Sequence, residues 1–140
     1  MHSDRVLNIL TWLLMAGLLG YFAYFKGWIL NDFENISPQE AYALLEKDKN
    51  ITFVDVRSAK EFNEDHIKGA VHVPMDSLET KNLEEKKLLV YSERGERSVE
   101  ASRILAKRGF TVLQLEGGVV FWIRAGYEVG LVTPNLRALM

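Results

Sequence analysis

The sequence predicts an α/β domain with a mostly parallel sheet, preceded by one long apolar helix. Three observations carry that expectation. From Val6 to Phe25, VLNILTWLLMAGLLGYFAYF passes about twenty residues without a formal charge. Beyond it, short continuous apolar runs alternate with helical patterns, as strands buried on both faces of a parallel sheet require. Those runs are rich in Val, Ile, Phe and Leu and are separated by turn-forming or charged residues.

The first run, at about 1.5 Å per residue, spans roughly the 30 Å of a hydrocarbon core. Tyr21, Tyr24 and Trp28 gather with Lys26 near its end, where amphipathic rings and a long amine meet headgroups. A core helix would carry a polar stripe, and only Asn8 and Thr11 interrupt this one. A signal peptide would have a shorter apolar region and a small-residue cleavage pattern, which FAYFKGW lacks. Residues 1–30, with the span at about 6–25, are therefore expected to be a single-pass anchor whose partner is the lipid bilayer. Arg5 and the α-amino group before the span, against Lys26 after it, lean slightly towards an extracytoplasmic globular domain.

Ser37, Pro38 and Glu40 then form a capping-box pattern, so a domain is expected over residues 36–129. Strands are expected at ITFVDV (51–56), AVHVP (70–74), LLVY (88–91) and TVLQL (111–115). SAKEFNED reads as a short helix between the first two, and a helix from about Ser98 to Arg108 stops at Gly109. The tail, 130–140, is apolar without a specific signal.

Composition excludes several chemistries. The chain has no cysteine, which removes disulfides, thiolate metal sites and thiol nucleophiles. Residues 31–140 carry 15 Lys+Arg against 18 Asp+Glu, and without a basic face nucleic acid is not an expected partner. No metal or organic cofactor is indicated.

The stretch LLVYSERGERSVEASRIL places a polar loop between a strand's carboxyl end and a helix start, where open α/β sheets put ligand sites. Backbone N–H groups in such a turn, with the helix dipole, make a cradle for an anion. Gly95 gives the turn its freedom, and Arg97 offers a planar fork of donors to an oxyanion. The alternative at this point is a plain strand-to-helix turn with solvated charges.

FVDVRSAKEFNEDHIKGAVHVP, LLVYSERGERS and GFTVLQLEGGVVFWIRAGYEV resemble, in order and spacing, the signature blocks of a single rhodanese (thiosulfate sulfurtransferase) domain. The resemblance implies a three-layer α/β fold around a mainly parallel five-stranded sheet. It also implies a loop whose first residue is a cysteine that carries a sulfane sulfur as a persulfide. Position by position, Ser92 stands at that cysteine, Gly95 and Arg97 at the motif's glycine and arginine, and Ser98 at the helix start. The six-residue loop has the sulfurtransferase length, one shorter than in the fold's phosphatases and arsenate reductases.

An oxygen cannot carry a persulfide, and no histidine lies in the loop to activate a hydroxyl. The sequence therefore points to a sulfurtransferase-like domain without its nucleophile, a pseudoenzyme. Its loop of Ser92, Glu93, Arg94, Gly95, Glu96, Arg97 and Ser98 would bind a small anion (thiosulfate, sulfate or phosphate) or a partner protein. The four charged side chains there sum to zero, which weakens long-range anion attraction. An active transferase is the alternative if Ser92 replaces a native cysteine; a purely structural anchored domain is the second. Asp55, Arg57 and Glu61 read as a local ion-pair set, His66 as a loop pin, and His72 as a packing residue. Gly117 and Gly118 read as a tight turn, and Trp122 as a core aromatic or a pocket wall.

Overall fold

A computed structural model of the chain describes residues 2–26 and 32–130, and the statements below concern those residues. The expected positions of Trp28 and of the tail beyond Gly130 lie outside them. The chain divides into two units, Met1–Asn31 and Asp32–Met140.

The first unit is the helix α1, His2–Phe25, with no buried residue. Over residues 6–25 its side chains are apolar on every side except at Asn8 and Thr11. It is long and apolar enough to cross a membrane, a property that signal sequences share.

In the second unit β1 (Glu34–Ile36), α2 (Pro38–Lys47), β2 (Ile51–Asp55), α3 (Ala59–Glu64) and β3 (Val71–His72) come first. They are followed by β4 (Lys87–Tyr91), α4 (Glu96–Lys107), β5 (Thr111–Leu115) and α5 (Gly118–Arg124). The five strands make one sheet in the order β1-β5-β4-β2-β3, and every pairing is parallel. All five carboxyl ends therefore share one edge.

The central strands β2, β4 and β5 are largely apolar on both sides because both sides are covered. Phe53, Leu89, Tyr91, Leu113 and Leu115 pack with Ala41, Val119 and Trp122 of α2 and α5. Val54, Leu88, Val90 and Val112 pack with Ala101 and Leu105 of α4 on the opposite face. Ser37 caps α2 as its sequence pattern requires: its Oγ accepts from Glu40 N (3.2 Å) and Glu40 Oε2 accepts from Ser37 N (2.8 Å).

Three details differ from the sequence reading. β1 begins before the expected domain start, and three residues are too few to show a period in sequence. β3 is two residues long rather than five: its last bond to β2, Val73 N to Asp55 O (2.9 Å), falls at the end of that strand, and Met75–Ser77 then turns as a 3-10 helix. Finally α4 begins at Glu96, two residues ahead of Ser98, because Gly95 already turns the chain (φ 109°).

Candidate functional site

The loop of residues 92–97 leaves β4 in the middle of the sheet and enters α4, so its floor is buried. Ser92 is 1% exposed and Ser98 fully buried. Ser92 Oγ accepts from Gly95 N (3.1 Å) and Ser98 N (3.2 Å) and donates to Ser98 Oγ (3.3 Å). A hydroxyl has one donor hydrogen and two acceptor positions, so this one is saturated. Ser98 Oγ in turn donates to Gly95 O (3.0 Å) and accepts from Gln114 Nε2 (2.7 Å). Ser92, Ser98 and Gln114 thus form a closed neutral network behind the loop. Gln114 was missed in the sequence, although a single amide inside the apolar strand TVLQL was its signal.

Two glycines act differently here. Gly95 holds φ 109°, a conformation side chains resist, although a Cβ would meet only ordinary contacts, Gln114 Nε2 and Gly117 N at 3.6 Å. Gly118 is sterically required as well: a Cβ there would lie 2.3 Å from Ser92 O and 2.6 Å from Glu93 O. The close approach lets the start of α5 brace the loop, with Val119 N donating to Ser92 O (2.9 Å) and Val120 N to Glu93 O (3.1 Å). Gly117, at the N-cap of α5, completes the expected tight turn.

The rim is ionic. Arg57 is 2% exposed, and its guanidinium donates to Asp55 (Nη2 to Oδ2, 2.9 Å), Asp65 Oδ1 (3.3 Å) and Glu93 Oε2 (3.0 Å). Burial alone would lower its pKa, but the hydrogen bonds and charges of Asp55 and Glu93 outweigh it and hold the group above its ordinary value. Tyr91, beneath, is pushed up by burial and by Asp55; its hydroxyl accepts from Ile67 N (3.0 Å).

Sequence reading grouped Glu61 with Asp55 and Arg57, whereas the structure separates it. Its carboxylate takes both ends of Arg97, Nη2 to Oε1 at 2.7 Å and Nη1 to Oε2 at 2.9 Å. Arg97 therefore faces α3 instead of closing a cradle over Ser92, and Glu93 is turned to Arg57. Glu61 also forms a capping box with Ser58 that the SAKE pattern carried unread. The Arg97 hydrogen bonds, with those of Ser58, bring Glu61 down to about 2 against the opposing effect of burial. Arg94 and Glu96 are exposed.

Neither histidine is a hydrogen-bond partner of Ser92. His66 Nδ1 donates to Phe62 O (2.9 Å), and its backbone exchanges two bonds with Gly130. His72 Nε2 donates to Arg57 O (2.8 Å) and stacks on Phe62. Trp122 donates from Nε1 to Glu128 O (3.1 Å) and packs edge-on to Phe53 (5.5 Å). It lines a cavity of about 500 Å³ with Tyr42, Ile67 and Tyr127, to which no residue of the 92–97 loop contributes.

A rhodanese-like domain family model matches residues 37–125. Thiosulfate sulfurtransferase GlpE of Pseudomonas savastanoi is 33% identical over 102 residues, covering 70% of this chain and 93% of that protein. The tRNA uridine(34) hydroxylase of Hamiltonella defensa is 34% identical over 95 residues, 61% of this chain; the match spans only 27% of that protein's length. The crystal structure of a rhodanese-related protein from Thermoplasma volcanium superposes with TM-score 0.63 at 28% identity, over 71% of this chain and 99% of the other. With the five-stranded parallel sheet and the strand–loop–helix edge already in place, these matches make the chain a member of the rhodanese-like domain family.

Proposed function

We propose that this protein is a membrane-tethered rhodanese-like domain that performs no sulfur transfer and uses its loop edge for binding. The observation that carries the reading is the state of Ser92: a buried hydroxyl with all three hydrogen-bonding positions filled, and no base bonded to it. Sulfur transfer in this family needs a thiolate that attacks the donor's sulfane sulfur, keeps it as a persulfide and yields it to an acceptor. Serine's oxygen takes no part in such a bond, and its proton is directed inward to Ser98. What remains is a rigid loop whose outer amides and rim side chains meet a small oxyanion or a group on a partner protein. The helix α1 supports the tether, with the globular unit on the extracytoplasmic side.

The test is thiosulfate-to-cyanide sulfur transfer by the full chain in detergent. Ser92→Ala is expected to equal the unaltered protein, and Ser92→Cys to gain turnover. Turnover of the unaltered protein above the Ser92→Ala level defeats the proposal. Similarity to thiosulfate sulfurtransferase GlpE keeps one second reading in view, an active enzyme in which position 92 is natively cysteine, and the Ser92→Cys arm measures it directly. The tether is checked separately: the full chain should stay with membranes through alkaline carbonate and keep its own N-terminus, whereas a mature chain starting after residue 25 would identify α1 as a signal sequence.

A further inference from the structure

We infer that the cavity beside Arg97 is a binding site for a small organic anion, a carboxylate or sulfonate on a compact apolar body, and that Glu61 is the built-in competitor setting its affinity. The cavity, about 470 Å³, lies between the ends of β2 and β3 and the first turn of α4. That volume is within the range of small-molecule sites. Val56, Ala59, Pro74 and Met75 supply apolar wall, and Arg97 is the lining cation with solvent access, its side chain 40% exposed. Arg57 also lines it but is committed to three carboxylates, and His72 spends its Nε2–H on Arg57 O.

Arg97 has five N–H donors and gives two to Glu61, leaving Nε–H and one hydrogen on each Nη without a partner. Glu61 therefore already makes the planar two-oxygen contact that a carboxylate or sulfonate ligand would make. A ligand must share or displace that contact, so bare charge is not enough, and the apolar wall has to supply the difference. Asp76, exposed on the same lining, opposes any anion and narrows the choice to ligands with a substantial apolar part. The site is separate from the Ser92 floor and does not need the loop amides.

The probes are benzenesulfonate and inorganic sulfate, titrated by NMR into the full chain in micelles. Glu61→Gln keeps the capping box, since glutamine at that position still accepts from Ser58 N, but removes the competing charge. It should tighten benzenesulfonate binding at least tenfold, and Asp76→Asn by about twofold to threefold. Arg97→Ala should abolish saturable binding. Shifts are expected at Val56, Ala59 and Met75, with benzenesulfonate preferred over sulfate. Equal affinity in Glu61→Gln and the unaltered protein overturns the competitor role. Shifts confined to the 92–97 amides, or no saturable shift in any variant including Glu61→Gln, overturn the site. Loop shifts with sulfate alone would support the reading of the loop as an anion binder while refuting this one.

Discussion

The floor and the rim of the loop edge are held by opposite means. The floor is neutral and buried: Ser92, Ser98 and Gln114 exchange hydrogen bonds with one another and with loop amides, with no charge involved. The rim is charged and partly wet, Glu93 on Arg57 and Glu61 on Arg97, each pair joining positions 36 apart in sequence. The floor keeps its strength because no water competes for its bonds, and losing one member strands the others. Of the two rim pairs, Glu61 with Arg97 is the more open to water, salt and ligands, whereas Arg57 is buried and held by two further carboxylates. The fold thus sets a saturated hydroxyl at the head of the loop, beneath two ion pairs of unequal exposure.

The largest effect should come from Gly118→Ala. Its Cβ meets backbone oxygens of Ser92 and Glu93 that cannot swing aside, so the α5 brace or the loop must shift. A loss on the order of 3 kcal/mol is expected from this strain, read by urea unfolding. Gly95→Ala, strained in φ but with no contact closer than 3.6 Å, should cost clearly less, about 1 kcal/mol. A reversed order would break the distinction drawn between the two glycines.

Next comes Ser92→Ala, which leaves the amides of Gly95 and Ser98 without their acceptor. About 2 kcal/mol should be lost, with faster hydrogen exchange at those two amides. Gln114→Leu removes one donor to Ser98 and should cost roughly 1–2 kcal/mol, felt at the same amides although the change lies on β5. If the Gln114 effect stays local to β5, the floor is not one network.

The smallest effect belongs to the rim. Glu61 sits at about 2 when folded against an ordinary 4.5, so its contribution to stability is complete above about pH 4.5 and is lost as pH falls towards 2. The partly solvated position keeps that contribution below about 1 kcal/mol at moderate salt. An NMR titration of the Glu61 carboxyl carbon should show a midpoint near 2, returning towards 4.5 in Arg97→Ala. An unchanged midpoint in that variant would mean the cap at Ser58, rather than Arg97, holds the carboxylate.

Much of this protein is legible in sequence because it depends on neighbours along the chain. The uncharged run at 6–25 needs no tertiary contact to be an apolar helix, and the Ser37-Pro38-Glu40 cap is local hydrogen bonding that local spacing specifies. Four of the five strands were legible as apolar runs, most clearly β2, β4 and β5, which are covered on both faces. That position 92 carries a hydroxyl and not a thiol was equally plain, being a statement of which atom occupies it. Tertiary structure alone decided the partners of the loop's charges. Arg97 was expected over Ser92 and instead meets Glu61, and Glu93 turns to Arg57, because the register of β2 beside β4 brings the segment 57–65 against the loop. The same packing made Gly118 sterically irreplaceable and Gln114 part of the site. Side-chain charge can be read from a sequence, but which opposite charge lies within 3 Å depends on strand order, and strand order is set by the whole sheet.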